Sequence, residues 1–190
     1  MKVVGICGSP RKGNTEWMMK KLLEAVVRGG IETELILLRD EKIKGCKGCL
    51  KCEAGGKERD GHCKIGDDMG DINVKLLKAD GLVFGTPVYF EMLSGLLKNF
   101  MDRTCPIWPR LEGKYAAGIA VAEEGIGTAI DNLKTYSSVC GMQWIGHVTA
   151  LAKTKGQVAE DKDVPEHIGQ LAKSLVDALK TQPSPDNTTN

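Results

Sequence analysis

Short apolar runs rich in Val, Ile and Ala alternate along this chain with amphipathic helical stretches, and that alternation predicts an α/β fold. Three observations carry the prediction. The runs are continuously apolar, as strands buried on both faces should be. They number five, and each is followed by a stretch with helical spacing or by a glycine turn. A parallel sheet joined by right-handed crossovers, with helices on both faces, satisfies all of this. Five strands fit the flavodoxin-like order 2-1-3-4-5 in three layers better than a larger dinucleotide fold.

The elements follow in order. The first strand is Lys2 to Cys7, which runs into the turn Gly8-Ser-Pro-Arg-Lys-Gly-Asn-Thr15. A helix to about Arg28 carries Met18, Leu22 and Ala25 on one face, with Met19, Leu23 and Val26 beside them, and Gly29-Gly30 stops it. The second strand is 33–38. Asp67-Asp68 are expected to cap a helix bearing Met69, Ile72 and Leu76. The third strand is 81–85, followed by a helix marked by Leu93, Leu96, Leu97 and Phe100. The fourth is 115–122, with Ile130, Leu133 and Ser137 on the next helix. The fifth is 142–149, and Ile168, Leu171, Leu175 and Leu179 mark an amphipathic closing helix. One domain, 1–180, is expected, with a polar and disordered tail at 181–190.

Composition narrows the class. The chain has 190 residues, 42% hydrophobic and 27% charged, an ordinary globular balance. Its 26 basic and 25 acidic residues leave a net charge of +1, without the basic excess of a nucleic-acid binder. MKVVGICGSP has too short an apolar run for a signal peptide, and no stretch reaches bilayer-spanning length, so a cytoplasmic protein without membrane contact is expected. No Ser/His/Asp set or paired carboxylates point to hydrolysis.

A strand, a glycine-rich turn and a helix start form an anion site, because free backbone N–H groups and the positive end of the helix converge there. Gly8 and Gly13 let the backbone approach closely. Ser9, Asn14 and Thr15 add neutral donors, and Arg11 adds a charged one. The spacing resembles a P-loop, but Asn14 stands where its lysine belongs, and G-x-G-x-x-G is absent. A smaller phosphate-bearing ligand remains, and FMN suits the fold. Gly85-Thr-Pro-Val-Tyr-Phe90 ends the third strand at the same edge, where Tyr89 or Phe90 would flank a flat ring. The AEEGIG loop, 122–127, is the third element expected there.

From 39 to 66 no periodicity is visible, and a stretch that long within a compact domain is expected to have a job. It holds four of the seven cysteines, as Cys46-x2-Cys49-x2-Cys52 followed by Cys63. Three thiols at two-residue gaps suit one corner of a cubane iron–sulfur cluster, and a fourth closes it. Lysines 44, 47, 51 and 64 would offset its charge. Zinc held by Cys46, Cys49, Cys63 and His62 is the lesser alternative, and unliganded thiols a third. Cys7 and Cys140 read as small apolar residues. Cys105, in Thr-Cys-Pro-Ile-Trp-Pro, has no clear reading, and His147 and His167 have no assigned role.

The turn 8–15, the cysteine triplet with a fourth cysteine before Asp67-Asp68-Met69, Thr86-Pro-Val-Tyr89 and Lys98-x3-Asp102-Arg103 together resemble the iron–sulfur flavoproteins, a branch of the NAD(P)H-dependent FMN reductase group. The resemblance implies one FMN and one [4Fe-4S] cluster per chain, in a dimer or tetramer. It places Ser9, Arg11, Gly13, Asn14 and Thr15 at the FMN phosphate. Pro87, Val88, Tyr89 and Phe90 would lie along the flavin, with Glu124 from the AEEGIG loop, and Cys46, Cys49, Cys52 and Cys63 on the cluster. The expected activity is electron transfer between two-electron and one-electron partners: a ferredoxin-like carrier or NAD(P)H, and a small-molecule acceptor. The alternatives are an NAD(P)H-dependent FMN or quinone reductase with zinc or no metal, and a non-enzymatic flavin shuttle or thiol redox sensor.

Overall fold

The computed structural model describes residues 1–53 and 63–181. The expected disorder of the tail beyond Thr181, and the zinc role considered for His62, lie outside the described residues. Strand β1 (Lys2–Cys7) lies inside the sheet, parallel to β2 (Glu32–Leu37) on one side and β3 (Gly81–Tyr89) on the other. A two-residue strand, β4 (Met92–Leu93), folds back antiparallel on the end of β3. Strands β5 (Tyr115–Ala122) and β6 (Gln143–Leu151) complete the sheet in the order β2-β1-β3-β5-β6. Apart from the short β4, this is the predicted five-strand flavodoxin-like order.

Period-two alternation divides each central strand between two cores. Val3, Val83, Ala117 and Ile119 pack under α1 (Asn14–Arg28) and α5 (Asp163–Thr181), with Met18, Leu22, Ile168 and Leu175. Val4, Ile6, Phe84 and Ala116 face the other way. They meet α2 (Met69–Lys78), α3 (Gly95–Arg103) and α4 (Ala129–Val139) through Ile72, Phe100 and Leu133. The predicted three layers are therefore present. No helix among the described residues is long and apolar enough to cross a membrane.

Two strands run two or more residues past their expected ends. The third strand does not stop at Gly85 but continues to Tyr89, with Pro87 in register with Val121 of β5. Strand β1 has already ended opposite Gly85, so the N–H that Pro87 lacks removes no bond from a ladder. The last strand runs two residues past Thr149 to Leu151, after a bulge at Ile145 where Ala116 pairs with Trp144 and Ala117 with Gly146. Both extensions lengthen the carboxyl edge of the sheet, which is where the site forms.

Candidate functional site

The turn after β1 is pinned before it opens. Gly8 N–H donates to the Gly85 carbonyl at 2.7 Å, and a Cβ on Gly8 would come 2.7 Å from the Leu97 Cβ. No side chain fits there. The Ser94 hydroxyl donates to the Gly8 carbonyl at 2.7 Å and accepts from Leu97 N–H at 3.2 Å, so the cap of α3 also fixes the turn. Ser94 was not anticipated from the sequence, because its second partner lies 86 residues away. Ser9 closes the turn locally: its hydroxyl donates to the Arg11 carbonyl and accepts from Arg11 N–H. Helix α1 then starts at Gly13, whose backbone is extended and which has no side chain to cap the first turn. That leaves the positive helix end open toward solvent.

Four strand ends converge on a pocket of about 140 Å³. The turn supplies Ser9, Arg11, Gly13, Asn14 and Thr15 to it, and the end of β3 supplies Pro87, Val88 and Tyr89. Two predicted residues stand apart from this lining. Phe90 is 97% exposed at the tip of the β3–β4 hairpin, where Phe90 and Glu91 both have positive φ, as a two-residue type I′ turn requires. Glu123, not Glu124, lines the pocket from the loop after β5. The Glu124 carboxylate instead lies 3.8 Å from Lys153 Nζ.

The fourth contribution, Lys153 and Lys155 beyond β6, was missed from the sequence. The available signal was topological: in a doubly wound sheet the loop after the last strand opens at the same edge as the others. Asn14 holds that loop in place. Its Nδ2 donates to the Thr154 carbonyl at 2.8 Å and its Oδ1 accepts from Gly156 N–H at 2.7 Å. Gln157 Oε1 accepts from the N–H groups of Lys153 and Thr154 and braces it from the other side. The lining thus carries Arg11, Lys153 and Lys155 against one carboxylate, Glu123. The acid in the first turn of α1, Glu16, is already paired, 2.7 Å from both Lys20 and Arg39. Burial pushes the Glu16 carboxyl upward, but hydrogen bonds from Lys20 and Arg39 outweigh it and hold the group below the usual glutamate range. A phosphate monoester suits this donor set, with a flat ring against Tyr89.

The cysteine loop is fastened at both ends to the far end of α3. Arg103, buried there, makes a bidentate pair with Asp67 at 2.7 and 2.9 Å and donates to the Lys44 carbonyl. The two side chains are only 1% and 2% exposed. Asp67 also accepts from Lys44 N–H, Asp68 accepts from Lys42 N–H, and Asn99 donates to the Ile43 carbonyl. These aspartates were expected as caps of α2. Asp67 does accept from Met69 N–H at 3.2 Å, but Arg103 is its main partner, whereas Asp68 makes no side-chain cap. The Arg103 hydrogen bond holds the Asp67 carboxyl below the usual range against the opposing effect of burial.

Within that frame Cys46 and Cys49 are exposed, while Cys52 and Cys63 are half-buried. The Cys63 sulfur lies within reach of the Arg103 guanidinium. Cys52 Sγ lies 3.5 Å from the sulfur of Cys105, which the motif does not include. Burial and then the neighbouring thiol push Cys52 up to about 11. Among the described residues no three Cys, His, Asp or Glu side chains converge on one metal position. The four thiols flanked by lysines nonetheless suit a soft metal in kind. Cys7 and Cys140 are buried, as expected of small apolar residues.

Comparison with known proteins gives a consistent result. The model of the NADPH-dependent FMN reductase family matches residues 1–156. An iron–sulfur flavoprotein of Methanocaldococcus jannaschii is 35% identical, over 95% of this chain and 98% of that one. Another from Methanosarcina thermophila is 30% identical, over 95% and 96% of the two chains. Among solved structures, an NADH:FMN oxidoreductase in its apo form has a TM-score of 0.73 at 22% identity, over 96% and 91% of the two chains. A flavodoxin from the domain Archaea has a TM-score of 0.65 at 14% identity, over 95% and 99%. These two likenesses are of fold alone. With a family model covering most of its length and full-length relatives at this identity, the chain belongs to the NADPH-dependent FMN reductase family and, within it, to the iron–sulfur flavoproteins.

Proposed function

We propose that this FMN-dependent oxidoreductase carries electrons between two-electron and one-electron partners, with FMN at the turn 8–15 and a [4Fe-4S] cluster on Cys46, Cys49, Cys52 and Cys63. The observation that carries the reading is the place of α3. Its first residues, through Ser94, hold the phosphate turn, and its last, Arg103, holds the cysteine loop. Nine helical residues span about 13 Å. The two proposed cofactor positions would thus sit at opposite ends of one rigid element.

Ser9, Thr15 and the first N–H groups of α1 would hold the phosphate, with Arg11, Lys153 and Lys155 neutralising it. Pro87, Val88 and Tyr89 would lie along the ring. FMN supplies two-electron chemistry that can be released one electron at a time, and the cluster a one-electron carrier. The chain's own part is to bind, orient and exclude water; no side chain here need move a proton. A ferredoxin-like carrier or NAD(P)H is the partner proposed, with a small-molecule acceptor. Assembly of two or more copies is supported by the exposed Phe90 and Met92, beside an apolar groove of about 630 Å³ that also takes in Leu93 and Met101. A reductase with zinc or no metal at the cysteines is the second reading, favoured by the match to NADPH-dependent FMN reductases.

Anaerobic purification with FMN, iron, zinc and acid-labile sulfide assayed on one sample separates these readings. About four irons and four sulfides per FMN are expected. Flavin with zinc, or with no metal, would overturn the cluster and leave the simple reductase.

A further inference from the structure

Cys105 stands outside the cysteine motif, yet its sulfur is 3.5 Å from that of Cys52, 53 positions earlier in the chain. A disulfide needs about 2.05 Å, so a closing movement of roughly 1.5 Å would join them. One partner is on a fixed wall. Cys105 follows α3 directly, beside the buried Thr104, whose hydroxyl donates to the Met101 carbonyl and meets the Tyr136 hydroxyl at 2.8 Å. The other sits in a single 3-10 turn, Lys51–Glu53, on the loop itself. The side chain of the next residue, Glu53, also reaches Cys105, at 3.8 Å.

We propose that Cys52 and Cys105 form a reversible disulfide, a modification site that closes the cysteine loop against the end of α3. The oxidant is a small-molecule disulfide. One protein thiolate attacks it, forming a mixed disulfide and releasing one small thiol. The second protein thiol attacks the protein sulfur of that bond, forming the Cys52–Cys105 link and releasing the other small thiol. Two protein thiols are oxidised, one small disulfide is reduced, and both protons leave on the released thiols. A sulfur in that bond is no thiolate donor, so the link and a metal on Cys52 exclude each other. This last clause rests on the cluster reading above; the disulfide itself does not.

The test equilibrates the FMN-loaded protein, as purified and after chelator treatment, across buffers from reduced to oxidised glutathione. Thiols are then alkylated and the chain digested with trypsin. Lysine or arginine separates every pair among Cys46, Cys49, Cys52, Cys63 and Cys105, so each falls on its own peptide. The expected product joins peptide 52–57 to peptide 104–110, is cleaved by dithiothreitol, and is absent from Cys105→Ser, which keeps its FMN. Glutathione remaining singly on either cysteine, a link from Cys52 to another loop cysteine, or no link in either sample would overturn the proposal. Iron lost in step with linkage in the wild type, but retained by Cys105→Ser, supports mutual exclusion. Linkage at undiminished iron removes Cys52 from the metal ligands and leaves the disulfide standing.

Discussion

The two ends of α3 are built on different principles. At its start, the turn 8–15 is made of backbone: a glycine wedged against Leu97, a first turn of α1 that lacks a side-chain cap, and a serine that ties the glycine to the start of α3. Such a site is formed before its ligand arrives. At its end, the cysteine loop is anchored at its base by Arg103, Asp67 and Asn99, and among the described residues no three of its thiols converge. The proposed anion site is preorganised, whereas the proposed thiol site is anchored and would be completed by what it binds. That contrast sets which site should survive damage to the other.

Asp67→Asn should have the largest effect. It removes the carboxylate from a pair almost wholly buried and strands the Arg103 charge. Breaking one side of such a pair costs about 3–5 kcal/mol. The expected result is an unfolding free energy, from urea titration, lowered by about 3–5 kcal/mol, with metal lost per folded chain while FMN is retained. Leu at 67 together with Met at 103 should be less damaging than Asp67→Asn alone, because no charge is left unpaired. Loss of FMN before metal in Asp67→Asn would show that the turn leans on the loop, and would break the comparison.

Asn14→Ala tests the other end. Asn14 ties the turn to the 154–156 loop by two hydrogen bonds, each worth about 0.5–1.5 kcal/mol. Release of that loop would withdraw Lys153 and Lys155 from the proposed phosphate position. An FMN dissociation constant raised about tenfold is expected, equivalent to about 1.4 kcal/mol. Titration with riboflavin, which lacks the phosphate, should show a smaller change, and metal content should not move. An equal loss for both ligands would mean that Asn14 supports the pocket generally and does not position charge.

The same division governs what could be read from the chain alone. The strand, turn and helix start at 2–15 were legible because their determinants are local: an apolar strand, two glycines and a helix start within 14 residues. Pro87, Val88 and Tyr89 followed from the topology, since the end of the third strand must open beside the first. Glu123 lines the pocket where Glu124 was expected, because an exposed loop has no periodicity to fix its register. Lys153 and Lys155 were hidden by a strand end placed two residues short. The cysteines were legible as chemistry and not as geometry. Arg103 pairs with an acid 36 residues away, and Cys105 meets Cys52 across 53 positions of the chain. Neither relation leaves a local trace.

The smallest effect expected is a pH dependence, and it sharpens the contrast from the turn's side. Glu16 lies in the first turn of α1, where a free carboxylate would repel a phosphate, yet Lys20 and Arg39 hold it ionised and neutralised. Its folded pKa is depressed below the unfolded glutamate value of about 4.3. A depressed carboxylate contributes stability that is present above the unfolded pKa and is lost as pH falls through the folded one. Urea midpoints should therefore fall steeply below about pH 4.3 in the wild type and less steeply in Glu16→Gln. At neutral pH the same substitution leaves Lys20 without its carboxylate partner and Arg39 with Asp40 at 3.5 Å, so FMN affinity should hold or rise while stability falls. A parallel loss of FMN binding at neutral pH would instead make Glu16 a support of the turn's geometry and not a balanced charge beneath it.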